Sequence, residues 1–153
     1  MTGEPSARDR FAASVAETMY PRDIAAQKLG IAIETVAMGQ CRMTMPVAED
    51  MLNGHGVCHG GHIFTLADTA FAYACNGGNR VTLAQHAQIS FISPGQLGET
   101  LTAEAREVAK TGRSGIYDVD VFGGDGRMVA TFRGASRTIK GLTAPDLGEA
   151  PPA

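Results

Sequence analysis

The chain has 153 residues, 44% of them apolar, no tryptophan and a formal charge of −3. That length suits one globular domain with a real core, and the slight acidity argues against nucleic acid as the main partner, which calls for a strong basic excess. Three cysteines without framework spacing and no apolar run of membrane-spanning length point to free thiols, a cytoplasmic location and no membrane partner.

Residues 1–10, "MTGEPSARDR", are polar and are expected to be a flexible arm. Residues 11–29 read as one or two helices interrupted at Pro21, with Gly30 as the stop. From Ile31 the period changes to two. "IAIETVAMGQCRMTMPV" predicts a hairpin turning near Gly39, with Cys41, Met43 and Met45 on one face. After an apolar stretch over 60–76 and a turn at "GGNR" come the β-segments "VTLAQHAQISFIS", "ETLTAEAREVA", "GIYDVDVF" and "MVATFRGASRTI". In the second, Leu101, Ala103 and Ala105 face inward, and in the third, Tyr117, Val119 and Val121 do. "GGDGR" is read as a hairpin turn, since it resembles a phosphate loop only in its glycines. Residues 141–153 have the composition of a flexible tail. This order is not the alternating pattern of a doubly wound sheet. It predicts an α+β domain over 11–140, with an antiparallel sheet packed on one principal helix.

That helix runs from Gly60 or Gly61 to Asn76 and is apolar almost all round, as a buried helix is. Its polar exceptions, Thr65, Asp68 and Thr69, fall at i, i+3 and i+4 on one narrow stripe. A carboxylate there is costly unless paired, hydrogen-bonded or wet; the bland alternative is a thin solvent face. Gly60 and Gly61 at the helix start can expose N–H groups backed by the helix dipole, a cradle for an anion or an oxyanion. They can equally serve only a tight turn. Donors and a carboxylate together describe half of an acyl-transfer site.

Two rivals share the stretch. His55, Cys58, His59 and His62 spell H-x-x-C-H-x-x-H, a superficial metal pattern without the paired spacing of a known zinc motif. Cys58 with His59 or His55 as base offers a nucleophile but no orienting partner. A structural thiol is the default for Cys58, and ordinary strand packing the default for His86.

The run "MLNGHGVCHGGHIFTLADTAFAYACN" closely resembles the central motif of PaaI-type acyl-CoA thioesterases of the hotdog-fold superfamily, the phenylacetate-pathway branch. "FISPG", "YDVDVF" and "FRGASRTI" also fit, so the likeness runs from about residue 25 to 140. The resemblance implies a hotdog: a five- or six-stranded antiparallel sheet wrapped around the long helix. It implies protomers joined sheet edge to sheet edge, with active sites across the interface, and a dimer of dimers. It implies an acyl-CoA substrate, with phenylacetyl-CoA and its ring-hydroxylated relatives expected, and neither metal nor other cofactor.

By position, the resemblance makes Asp68 the catalytic carboxylate, as general base or nucleophile, and the Gly60 N–H the group that polarises the carbonyl. Asn53 contacts the reacting centre and His59 supports the loop or the thioester. Asn53, His59 and Gly60 come from one protomer and Asp68 from its partner. Gly61, Thr69, Lys110, Arg113 and Arg137 are expected to bind substrate, the cations by charge and place only, with Arg133 and Lys140 as further candidates for the CoA phosphates and solvated surface as the alternative for each. Seven of the thirteen Lys and Arg residues lie between Arg106 and Lys140. Phe64, Phe71, Tyr73 and Met51 are candidates for an apolar acyl pocket, with core packing as the alternative. His62 stands where the motif often has Gln, and its role stays open. A non-catalytic acyl-CoA-binding module is the other functional reading, against which the presence of Asp68 argues.

Overall fold

The computed structural model describes residues 3–153. Helix α1 (Ala7–Met19) starts inside the stretch expected to be a loose arm. The reason is a capping box that the polar composition concealed. Ser6 Oγ accepts the Asp9 N–H at 3.1 Å while Asp9 accepts the Ser6 N–H at 3.2 Å. Asp9 also accepts the Met38 N–H at 3.0 Å, tying α1 to the first hairpin; that bond comes first among those holding its carboxyl below the usual range. Pro21 falls in a 3-10 turn, Asp23 caps α2 (Ile24–Lys28) by accepting from Ala26, and Gly30 closes the segment at a φ of 67°.

The strands are β1 (Ala32–Ala37), β2 (Gln40–Pro46), β3 (Arg80–Phe91), β4 (Thr100–Thr111), β5 (Ser114–Phe122) and β6 (Met128–Leu142), with the long helix α3 (Gly60–Asn76) between β2 and β3. They form one antiparallel sheet in the order β1-β2-β4-β5-β6-β3. Register lines up the inward rows. Cys41, Met43 and Met45 oppose Ala105, Ala103 and Leu101, and Ala103 and Ala105 oppose Val121 and Val119. All of these are buried, and every strand meets α3. Six strands curled around one helix is the hotdog architecture that the resemblance implied.

Close approach of α3 to the sheet depends on small residues. A methyl at Gly134 would stand 2.9 Å from two atoms of the Phe71 ring, which is itself wedged between Tyr117 and Phe132. Gly134→Ala is therefore expected to cost ~1–3 kcal/mol as an overpacked core. Gly78, with open space around it, gives the control: thermal unfolding should leave Gly78→Ala within ~0.5 kcal/mol of wild type.

The outer face of the sheet is charged. Arg42 bonds Glu34 and Glu104; Arg106 reaches Asp118 and Asp120; Arg133 grips Asp118 with two bonds of 2.6 and 2.8 Å. These pairs are exposed and add little stability.

The C-terminal stretch is the second departure from the expected loose ends. Asn79 is fully buried at a φ of 67°. Its Nδ2 donates to Ala144 and Gly148 carbonyls, and its Oδ1 accepts the Ala144 N–H. Residues 143–148 are thereby fastened to the end of α3. Composition marks these residues as poor core formers, but it cannot show that a buried asparagine elsewhere accepts their backbone bonds.

Candidate active site

The loop before α3 organises itself around Asn53. Its Oδ1 accepts the His55 N–H at 2.9 Å and the Val57 N–H at 3.4 Å, while its N–H donates to the Val57 carbonyl at 2.8 Å. Those bonds fix the amide's orientation and leave Nδ2 as a donor. The next residues are pinned from both sides. Cys58 N–H donates to the Gly95 carbonyl and His59 N–H to the Met51 carbonyl, each at 2.8 Å.

His59 is the N-cap of α3. Its backbone is extended, and its Nδ1 accepts the Gly61 N–H at 2.9 Å. An imidazole cap is unusual beside the usual hydroxyl or carboxamide. It sets the ring's tautomer, since Nδ1 must lend a lone pair and any neutral-ring hydrogen sits on Nε2. The Gly61 amide expected to meet substrate is thus already occupied. The Gly60 N–H has no acceptor among the described residues and is the donor left at the positive end of the helix.

Asn53 and Gly60 face a cleft of about 470 Å³ whose other walls include Val57, Ile63, Phe91 and Ile92. Phe71, Tyr73 and Met51 do not line it; all three are buried in the core, and the Tyr73 hydroxyl donates to Asp23. Phe64 packs edge-on against Phe132. Phe91 and Ile92 escaped the sequence reading because only the sheet's topology carries the end of β3 across the start of α3.

Cys58 is buried, with its thiol 3.7 Å from the His59 carbonyl; burial first, and the Glu99 charge second, push it above its usual pKa. That is a structural thiol, not a poised nucleophile. Among the described residues no group of three His, Cys, Asp or Glu side chains gathers as a metal site.

Asp68 follows Gly60 by eight residues on the same helix, so about 12 Å of axial rise separates them. One carbonyl cannot touch both within one chain. The Asp68 carboxylate is half-buried and makes no hydrogen bond or ion pair among the described residues. Its stripe neighbours turn away: Thr65 donates to the Gly61 carbonyl at 2.9 Å and Thr69 to the Thr65 carbonyl at 2.6 Å. Burial alone raises its pKa. A desolvated, unpartnered carboxylate is the type of group that marks a working site.

The expected cations Lys110, Arg113 and Arg137 lie around one end of the β4–β5 hairpin but not on one face of it. Lys110 opposes Gly115, on the face towards α3, whereas Arg137 opposes Ser114 on the other face and Arg113 sits in the turn between β4 and β5. Arg133 is held by Asp118. Lys110 lies near Cys75, in the last turn of α3 and away from the Gly60 cleft.

The thioesterase superfamily model matches residues 55–130, spanning the Gly60 turn and Asp68. Acyl-coenzyme A thioesterase PaaI of Escherichia coli K12 is 44% identical over 126 residues, 82% of this chain and 90% of that protein. The chain belongs to the thioesterase superfamily. Its fold superposes on the E. coli PaaI structure with a TM-score of 0.86 and 42% identity, covering 88% of this chain and 97% of that one. A substituted form of the phenylacetic acid degradation protein PaaI from Thermus thermophilus matches at a TM-score of 0.70 and 33% identity, over 75% and 98% of the two chains. A hypothetical thioesterase protein with coenzyme A from Streptococcus pneumoniae, 24% identical over 81% and 98% of the two chains, shares the fold at a TM-score of 0.75. In this superfamily member the free Gly60 amide and the unpaired Asp68 are the chemically distinctive groups of α3.

Proposed function

We propose that the protein hydrolyses acyl-CoA thioesters, with phenylacetyl-CoA and its ring-hydroxylated relatives as preferred substrates. The observation that carries the reading is a single helix bearing an unsatisfied N–H donor at its start and an unsatisfied, half-buried carboxylate about 12 Å further on. They can serve one carbonyl only if two chains meet, with Asn53, His59 and Gly60 from one and Asp68 from the other. The free edge of β3, twelve residues long, supports such a meeting, because an unpaired edge of that length invites another strand. The relatives named PaaI support the choice of acyl group.

In this reading the thioester oxygen accepts from the Gly60 N–H, with the Asn53 Nδ2 beside it. Asp68 of the partner takes a proton from water as water adds to the carbonyl carbon, or itself adds as nucleophile. The tetrahedral oxyanion is held by the same donors. It collapses with cleavage of the C–S bond. In the general-base route sulfur leaves with the electron pair and takes the proton that Asp68 removed from water, giving CoA and the carboxylic acid. Direct attack by Asp68 instead gives CoA and an acyl–aspartyl anhydride, which water then hydrolyses to the acid and free Asp68. Gly61 and Thr69 would shape the site's backbone rather than bond substrate directly. Lys110 and Arg113, both exposed and outside the ion pairs among the described residues, are our candidates for the CoA phosphates, with Arg137 less so because it bonds Ser114 at 3.3 Å. We assign the protein to the cytoplasm; three buried, free cysteines fit a reducing compartment. No described helix is long and apolar enough to cross a membrane. A dimer of dimers is the assembly we expect.

Release of CoA thiol from phenylacetyl-CoA, its ring-hydroxylated forms and straight-chain acyl-CoAs tests the reading. Turnover with arylacetyl esters preferred is expected. Binding of these esters without thiol release would leave only an acyl-CoA-binding module.

A further inference from the structure

Two large apolar side chains adjacent in sequence line the Gly60 cleft yet stand exposed: Phe91 at 54% and Ile92 at 61%. Phe91 is unlike an ordinary surface aromatic. A methyl added to Gly60 would stand 2.9 Å from its Cζ and 3.2 and 3.4 Å from the two Cε atoms, so the tip of the ring abuts the Gly60 backbone. The ring is anchored at its far end while more than half of its surface stays open. The chain just beyond it is fixed as well. The Ile92 and Ser93 N–H groups donate to the Val129 carbonyl at 2.8 and 3.2 Å, Ser93 Oγ to Met128 at 2.6 Å, and Arg127 to the Pro94 carbonyl at 2.7 Å. A pre-positioned aromatic surface beside a backbone oxyanion donor is what discriminates between ligands, because no ordering cost falls on the protein.

The cleft's lining holds no cation. It therefore suits the uncharged acyl arm of a thioester better than the phosphorylated arm. An aromatic acyl ring lying there can meet the open face of Phe91 in the offset or edge-to-face arrangement that aromatic pairs prefer. A flexible alkyl chain gains only area.

We infer that Phe91 is a specificity-determining residue: its ring forms the wall of the acyl subsite next to Gly60 and selects aromatic acyl groups over straight-chain ones. The inference rests on the thioesterase reading and deepens it.

The test compares kcat/KM for phenylacetyl-CoA and hexanoyl-CoA in wild type, Phe91→Ala, Phe91→Leu and Phe91→Tyr, with light scattering on each variant. Phe91→Ala and Phe91→Leu should lower the phenylacetyl-to-hexanoyl ratio by ~10-fold or more, the scale of a lost pocket contact, chiefly through KM. Phe91→Tyr, which keeps the ring, should hold the ratio near that of wild type. A parallel loss on both esters, dissociation of the oligomer, or an unchanged ratio would overturn the inference while leaving the thioesterase reading intact. Absence of thiol release by wild type from either ester would instead remove the thioesterase reading, and this inference with it.

Discussion

Asp68→Asn is expected to lower thiol release from acyl-CoA by at least ~100-fold, the scale of a lost acid/base group, without weakening the fold. The two halves of this result share one cause. Burial raises the Asp68 pKa above its ordinary 3.8, so the folded chain holds its proton more tightly than the unfolded chain does. Between 3.8 and the raised value the folded state binds more protons, and stability falls as pH rises through that window. At neutral pH the fold carries the full cost of the ionised group. Asparagine removes that cost, so the variant's Tm at pH 7 should equal or exceed that of wild type, and the difference should shrink as pH approaches 3.8. Wild-type activity should rise with pH along a limb set above the usual carboxylate range. An Asp68→Asn protein that is less stable at pH 7 would mean that the carboxylate has a structural partner.

Asn79→Ala carries the largest expected effect on stability. Its side chain meets three backbone groups of Ala144 and Gly148 from a fully buried position, and alanine meets none of them. Alanine also sits poorly at a φ of 67°. Each orphaned buried group costs ~1–3 kcal/mol. The freed tail can swing into water and recover part of that, so a net loss of about 2–4 kcal/mol is expected. In thermal melts at fixed protein concentration this is a fall in Tm of roughly 5–15 °C. Proteolysis should cut the variant within residues 141–153 under conditions that spare wild type.

Most of the fold was legible because its signals are local and periodic. Period-two patterning located the inward rows of β2, β4 and β5, and an all-round apolar run located α3. The ends misled for the opposite reason. The start of α1 hangs on the Ser6–Asp9 capping box, and residues 143–148 hang on an asparagine more than sixty positions upstream. Composition registers neither. In the candidate site, Asp68 stood out as a polar exception on an apolar helix and Gly60 as one of two glycines at its start, but the two fates of adjacent amides did not. Only the geometry distinguishes the capped Gly61 N–H from the open Gly60 N–H. The cations show the limit of sequence proximity: Lys110 and Arg137 are near in charge and place along the chain yet lie on opposite faces of the sheet. Phe91 reaches Gly60 because β3 crosses to the far edge of the sheet, a property of topology alone.

The measurement that tests the central claim most directly is complementation between two crippled chains, Asp68→Asn and Asn53→Ala, co-expressed with different tags and purified through both. If Asp68 and the Asn53–Gly60 turn serve one site from two chains, each mixed dimer contains one intact site and one doubly defective site. Unselected mixing should then restore about a quarter of the wild-type rate; the doubly tagged fraction should reach about half if it is a lone dimer and roughly 30% if it is a dimer of dimers, in which two unlike homodimers also carry both tags. Activity no higher than the average of the two parent variants would contradict a shared site, and would place Asp68 outside the catalytic machinery of the Gly60 cleft.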